Sequence, residues 1–210
     1  MERNYIMKEN YFDTVAKEWN TPGRQSANEE IKEVILRRLA VDKSESEIKA
    51  LEIGAGSGTL ALLLARHFAK IDGVDSSAGM REEFLKNKEV FSAENVNIYD
   101  EDFLNTTGEK YDLIYSHKVF HHIVDVENEL QLLKKFLTPK GKLYLMDFCT
   151  IPAAFHKDFP DFDGHNGFSK DEICNYFKNT GWKLVDYEII KQGKKDDIEY
   201  EVFLAVGEVE

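Results

Sequence analysis

The chain is poor in cysteine: Cys149 and Cys174 are its only two, and both fall in segments that read as regular structure. Such a pair points away from a disulfide framework and toward reduced core thiols. No stretch approaches the roughly 18 apolar residues that a membrane-spanning helix needs, and Met1 to Asn10 carry charges without an apolar run. The expected location is therefore the cytoplasm, with no membrane span. Positive charge is also scarce, with 27 Lys and Arg against 39 Asp and Glu and a net charge of −12. Without a basic stripe to neutralise a run of phosphates, nucleic acid is not an expected partner. Internal repeats and low-complexity tracts are absent too. At 210 residues the chain is long enough for one well-buried domain and short for two.

What the sequence does carry is Leu51-Glu52-Ile53-Gly54-Ala55-Gly56-Ser57-Gly58-Thr59, which joins an apolar strand to an apolar helix through three closely spaced glycines. Lacking a Cβ, Gly54, Gly56 and Gly58 permit a tight turn at positive φ and let a ligand approach the backbone. The helix that follows presents its free N–H groups to that ligand. Glu52, two residues before the first glycine, suits a ligand that is cationic or rich in hydroxyls better than a polyphosphate.

Around this loop the elements alternate. Residues 1–25 are mixed and aromatic, with Tyr5, Tyr11, Phe12 and Trp19, and read as a lid or arm ending at the turn signal Thr21-Pro22-Gly23. Residues 26–210 form the domain proper. Ser26 and Asn28 are candidate caps for a helix to about Ala40. Strands are expected at Ala50–Ile53, Ile71–Val74, Val96–Tyr99, Tyr111–Tyr115 and Lys142–Phe148. Helices are expected at Thr59–Phe68, Ser77–Lys88 and Val126–Leu137, the last stopped by Thr138-Pro139-Lys140-Gly141. Ser169-Lys170-Asp171-Glu172 is a capping box for a helix through Asn179. Trp182–Lys191 and Ile198–Val206 then read as a hairpin linked by Gln192-Gly193-Lys194-Lys195. The alternation predicts an α/β fold with a mainly parallel sheet covered on both faces and one antiparallel strand from the hairpin. On such sheets ligands bind beyond the carboxyl ends of the strands.

Asp75 ends the second strand, 21 residues after Gly54, where a carboxylate can accept from both ribose hydroxyls. Ser76 follows it in the same turn. After the third strand comes Asp100-Glu101-Asp102-Phe103, where an acid can accept from an exocyclic amine and an apolar ring can cover a purine. Asp102 with Phe103 is the preferred pair and Asp100 the alternative.

These motifs, with Tyr111-Asp112-Leu113-Ile114 and Leu137-Thr-Pro-Lys-Gly141, resemble those of class I S-adenosylmethionine-dependent methyltransferases over roughly residues 11–206. The chain is most similar there to the group containing the ubiquinone and menaquinone biosynthesis methyltransferases. The resemblance implies a Rossmann-like fold, a seven-stranded mixed sheet of order 3-2-1-4-5-7-6 with strand 7 antiparallel. It implies S-adenosyl-L-methionine as methyl donor, leaving S-adenosyl-L-homocysteine, and a small-molecule acceptor; a homodimer is compatible with it. It also implies that Glu52, Gly54, Ala55, Gly56 and Gly58 line the methionine side, that Asp75 and Ser76 take the ribose, and that Asp102 and Phe103 take the adenine. Ser116, just after the fourth strand, then belongs with the sulfonium. Lys140 departs from the pattern, standing where many relatives have a second glycine.

Ser116-His117-Lys118-Val119-Phe120-His121-His122 follows the fourth strand, where residues of this family face the acceptor. Histidine suits removal of a proton near neutral pH, so His121 and His122 are the first candidates, then His165, His156 and Asp147. The i, i+4 spacing of His117 and His121 could bind zinc on a helix, but no Cys or HExxH context supports a metal. Phe155, His156, Phe159, Phe162, His165 and Asn166, with Tyr11, Phe12 and Trp19, form a candidate roof for the acceptor. Two other readings compete. A nucleotide-dependent dehydrogenase is disfavoured because the third glycine comes one residue early, and because Tyr187-x-x-x-Lys191 falls in a predicted strand. A non-catalytic S-adenosylmethionine-binding protein keeps the same motifs without transferring a methyl group.

Overall fold

The computed structural model describes residues 10–39, 44–159 and 162–209. Tyr5 and the start of the expected arm, and Ala40, lie outside these residues. Seven strands, β1 (Lys49–Ile53), β2 (Lys70–Val74), β3 (Val96–Tyr99), β4 (Tyr111–His117), β5 (Leu137–Phe148), β6 (Trp182–Lys195) and β7 (Ile198–Val209), form one sheet in the order β3-β2-β1-β4-β5-β7-β6. This is the expected order, with β7 antiparallel to both its neighbours. The chain divides into two compact units, one holding residues 9–114 and the other residues 115–210. Among the described residues no helix is long and apolar enough to cross a membrane.

In residues 9–114, β1 and β2 pair in parallel with Glu52 opposite Gly73, and β2 pairs in parallel with β3. Strands covered on both faces need continuous apolar runs, and Leu51, Ile53, Ile71 and Val74 are all fully buried. Asp72 is buried in the same layer yet satisfied, accepting from Asn97 Nδ2 (2.9 Å), the Tyr111 hydroxyl (2.8 Å) and Lys70 Nζ (2.7 Å). The helices are α1 (Asn10–Val15), α2 (Pro22–Arg38), α3 (Thr59–Leu64), α4 (Ala78–Phe91) and α5 (Phe103–Thr106).

Three boundaries here differ from expectation. Thr21-Pro22-Gly23 starts a helix: Thr21 caps α2 by accepting the Arg24 N–H, and Pro22 stands in the first turn, where its missing N–H costs nothing. Ser26 and Asn28 therefore lie inside α2. Helix α3 stops at Leu64 rather than Phe68, because the His67 and Phe68 N–H groups both turn back to the Leu64 carbonyl as the chain heads into β2. Helix α4 has Ser77 as its cap and runs three residues past Lys88, to Phe91.

In residues 115–210, β5 pairs with β7 from Leu143↔Gly207 to Phe148↔Val202, and β6 with β7 from Trp182↔Val209 to Lys195↔Ile198. Asp125 caps α6 (Val126–Leu133), and the expected Ser169–Glu172 capping box opens α7 (Lys170–Thr180). Strand β5 begins at Leu137, so the expected stop Thr138-Pro139-Lys140-Gly141 lies within it. Pro139 is tolerated because the β5–β7 ladder starts only at Leu143. The hairpin is also longer than expected: Gln192 to Lys195 remain in β6, and the turn is Asp196-Asp197, with Asp196 at φ +54°.

Gly58, at φ +82°, precedes α3, and a Cβ there would meet the Phe84 ring at 2.5 Å. Gly58→Ala combines a left-handed backbone penalty with overpacking, so it should cost about 2–4 kcal/mol in urea unfolding. A loss below about 0.5 kcal/mol, the size of an ordinary surface change, would contradict this packing.

Candidate functional site

The glycine loop after β1 is shaped by hydrogen bonds from the adjoining strand. Gly54, Gly56 and Gly58 have φ of +70°, +54° and +82°. The Val74 carbonyl at the end of β2 accepts the N–H of Gly54 (2.8 Å) and of Ala55 (3.1 Å). A Cβ on Gly73 would meet the Ala55 methyl at 2.8 Å, so glycine in β2 makes room for the loop. Asp75 then spans the gap: its Oδ2 accepts the Gly56 N–H at 2.7 Å and its Oδ1 the Ser77 N–H at 2.9 Å. Arg81 secures the turn from outside, donating to the carbonyls of Asp75 and Ser76 at 2.8 Å each.

Burial pushes the Asp75 carboxyl pKa up, although those two backbone N–H groups and the nearby Arg81 act against it. A carboxylate has about four acceptor sites, and here the two backbone donors do not offset its lost hydration. Further donors, such as a pair of ligand hydroxyls, would complete its shell. Glu52 is buried within β1, two residues before the loop.

Residues ahead of α2 brace this loop, a role for which the sequence carried no signal. The Asn20 side-chain oxygen accepts from Ser57 Oγ (2.6 Å) and Thr59 Oγ1 (3.0 Å). Trp19 Nε1 lies 3.9 Å from where a Cβ of Gly56 would stand. Asp13 Oδ1 accepts the Gly79 N–H at 2.8 Å and the Ser77 hydroxyl, setting a carboxylate at the positive end of α4. Trp19, expected over an acceptor, thus belongs to the glycine loop, and Phe12 packs edge-on against it.

Phe103 stacks on Tyr99 with centroids 4.0 Å apart and planes within 8°, so one of its faces is already covered. The Tyr99 carbonyl accepts the Asp75 N–H at 3.1 Å, which ties this aromatic pair to the turn after β2. Asp102 is exposed and precedes α5, while Asp100 Oδ1 accepts the Asp102 N–H at 3.1 Å and so shapes the acidic turn.

In residues 115–210 the histidines converge. His121 lies in a short turn after β4 and Asp147 near the end of β5; both are buried. His121 Nδ1 donates to Asp147 Oδ1 at 2.7 Å, and the His121 backbone N–H reaches Oδ2 at 3.0 Å. Burial alone would raise the Asp147 carboxyl pKa, but His121 and the Phe148 N–H hold it below the usual range. The His122 ring lies 3.9 Å from His121, and His156 lies 5.6 Å from it and 3.8 Å from Phe162. Burial drives His122 down to about 2 and His156 down to about 4, with His121 adding repulsion in both cases. His117, half-buried with its Nε2 enclosed, is also held well below its ordinary value by desolvation and by the charges of Lys118 and Lys191. His165 is committed to backbone, its N–H on the His121 carbonyl (2.8 Å) and its Nε2 on the Ile123 carbonyl (3.0 Å). Of the histidines singled out in sequence, His121 is hydrogen-bonded to a carboxylate, that of Asp147. Ser116 is buried in β4. Among the described residues no group of three or more His, Cys, Asp or Glu is placed to hold a metal.

A family model described as a methyltransferase domain matches residues 24–187. The ubiquinone biosynthesis O-methyltransferase of Coxiella burnetii is 26% identical over 147 residues, covering 69% of this chain and 61% of that protein. The malonyl-acyl-carrier-protein O-methyltransferase of Priestia megaterium is 34% identical over 117 residues, covering 54% of this chain and 42% of that one. The chain thus spans less than two thirds of the length of these curated relatives. Among solved structures, phosphoethanolamine N-methyltransferase 2 of Haemonchus contortus, in complex with phosphomonomethylethanolamine and S-adenosylhomocysteine, has a TM-score of 0.73 at 19% identity. It covers 99% of this chain and 60% of that one, and it shares the fold.

The histidine cluster sets how stability depends on acid. His122 and His156 have folded pKa values of about 2 and about 4, below the roughly 6.5 of an unfolded chain. The unfolded chain therefore binds protons that the folded one refuses. Their contribution is fully present above about pH 7 and falls away as pH drops toward 4. His156→Phe removes one such proton and should flatten the decline by up to about 1.4 kcal/mol per pH unit in denaturant titrations. Parallel curves for the two proteins would show that His156 is not held neutral.

Proposed function

The chain belongs to the methyltransferase domain family, and on that premise we propose that it transfers a methyl group from S-adenosylmethionine to a small-molecule acceptor. The observation that carries this reading is Asp75, a half-buried carboxylate that fixes the glycine loop and retains acceptor capacity for two further donors. The vicinal hydroxyls of a ribose match that need. Glu52 adds negative charge before the loop, suited to a cationic methionine end, and the Tyr99–Phe103 stack offers an apolar surface to a purine. Asp102, exposed, and Asp100 are its candidate adenine acids. Ser76 and Ser116 are assigned with the ribose and the sulfonium respectively.

When bound, the donor supplies an activated methyl group on a cationic sulfur. The chain has to orient the acceptor, exclude water and remove a proton where the acceptor carries one. His121 is the assigned base: His122 is held neutral by burial, and His165 donates to a backbone carbonyl. The family match decides against the dehydrogenase alternative. A net charge of −12 and two free thiols support a cytoplasmic setting and an acceptor that is not nucleic acid.

Calorimetric scans test the donor assignment. S-adenosylhomocysteine should raise the melting temperature and NAD should not, and Asp75→Ala should weaken S-adenosylhomocysteine more than tenfold, or about 1.4 kcal/mol. Stabilisation by NAD alone would overturn the donor, and an unchanged dissociation constant in the variant would remove Asp75 from the site.

A further inference from the structure

We propose that Asp147 is a positioning residue that fixes the tautomer of His121, and that the pair is built to take a proton from a hydroxyl, making the acceptor an alcohol, phenol or enol. This rests on the methyltransferase reading for its chemistry but on the dyad alone for its geometry.

Three donors converge on one buried carboxylate. His121 Nδ1–H and the Phe148 N–H both reach Asp147 Oδ1 at 2.7 Å, and the His121 backbone N–H reaches Oδ2 at 3.0 Å. The carboxylate thus grips the same residue through backbone and ring. With the proton held on Nδ1, Nε2 is left as the acceptor of the imidazole. The rings around His121 include His122, His156, Phe148 and Phe162, and the Lys118 ammonium lies over the Phe148 ring, 5.0 Å from its centroid. Neither neighbouring imidazole holds a proton near neutral pH, and the His121 ring is hydrogen-bonded to the Asp147 carboxylate.

Such a pair matches a neutral acceptor that must lose a proton as it is methylated. The acceptor O–H bond breaks and its proton passes to His121 Nε2. An O–CH3 bond forms as the S–CH3 bond breaks, the bonding pair staying on sulfur. The positive charge of the sulfonium is thereby replaced by that of the imidazolium, which Asp147 neutralises until the proton leaves to water. Amines are mostly protonated at neutral pH and lose that proton to solvent before attack, and thiols ionise near neutrality; neither needs a paired base.

Long-range proton–nitrogen spectra of the uniformly labelled chain read the tautomer directly and require neither donor nor acceptor. The wild type should carry the His121 ring proton on Nδ1, and Asp147→Asn should move it to Nε2. A wild-type proton on Nε2 would overturn the proposal, however the variant folds. Transfer of labelled methyl from S-adenosylmethionine into a small-molecule extract reads the chemistry. Label should accumulate in alkali-stable methyl ethers, and label in amines or thioethers instead would overturn the hydroxyl assignment. Asp147→Asn should lower the rate at least about hundredfold at neutral pH, with the loss shrinking as pH rises and the acceptor ionises by itself. A loss equal at every pH would reduce Asp147 to a structural role. If S-adenosylhomocysteine failed to bind the wild type, the donor reading would fall while the tautomer result still judged the dyad.

Discussion

The hydrogen bond from the Gly56 N–H to Asp75 Oδ2, at 2.7 Å, is the contact on which the shape of the glycine loop depends. Three glycines at positive φ within five residues form a loop with little intrinsic reason to hold one shape. Asp75 and the Val74 carbonyl supply that reason from β2, and Gly73 clears space for the Ala55 methyl. The same carboxylate takes the Ser77 N–H and so couples the loop to the start of α4. Asn20 and Asp13, from segments ahead of β1, brace the loop and the helix start respectively. A single side chain therefore holds the loop to the turn after β2, and desolvation raises its pKa even with two backbone donors in place.

The histidine cluster solves a different electrostatic problem. Several imidazoles packed together in a dry environment cannot all be charged, and burial keeps His117, His122 and His156 neutral. One buried anion, Asp147, is hydrogen-bonded to the His121 ring. The rest fill space: Phe162 stacks on His156, and His165 ties the loop after β5 to the His121 carbonyl. The glycine loop and the histidine cluster are thus each organised around one carboxylate, Asp75 and Asp147 respectively.

Much of this architecture was readable in the sequence because its signals are local. Runs of four to ten residues between polar turns located all seven strands, and Gly54-x-Gly-x-Gly58 with Asp75 located the glycine loop and its partner. What was misread depends on partners distant in sequence or on capping geometry. Thr21-Pro22-Gly23 looks like a turn until the Thr21 side chain is seen accepting the Arg24 N–H. Pro139 looks like a stop until the ladder with β7 is seen to begin four residues later, at Leu143. Asp13 and Asn20 carried no signal because their partners lie about 40 to 60 residues away in the chain. Ranking His121 above His122 and His165 likewise required Asp147, 26 residues away, to be seen against the ring.

The claim that Asp75 preorganises the donor loop is tested most directly by amide hydrogen exchange on the unliganded chain. The Gly56 and Ser77 amides should exchange far more slowly than that of exposed Gly108. In Asp75→Ala they should speed up at least about tenfold while the amides of β1 and β2 keep their protection. Equal exchange of Gly56 in the wild type and the variant would contradict the account, since the loop would then hold its shape without the carboxylate.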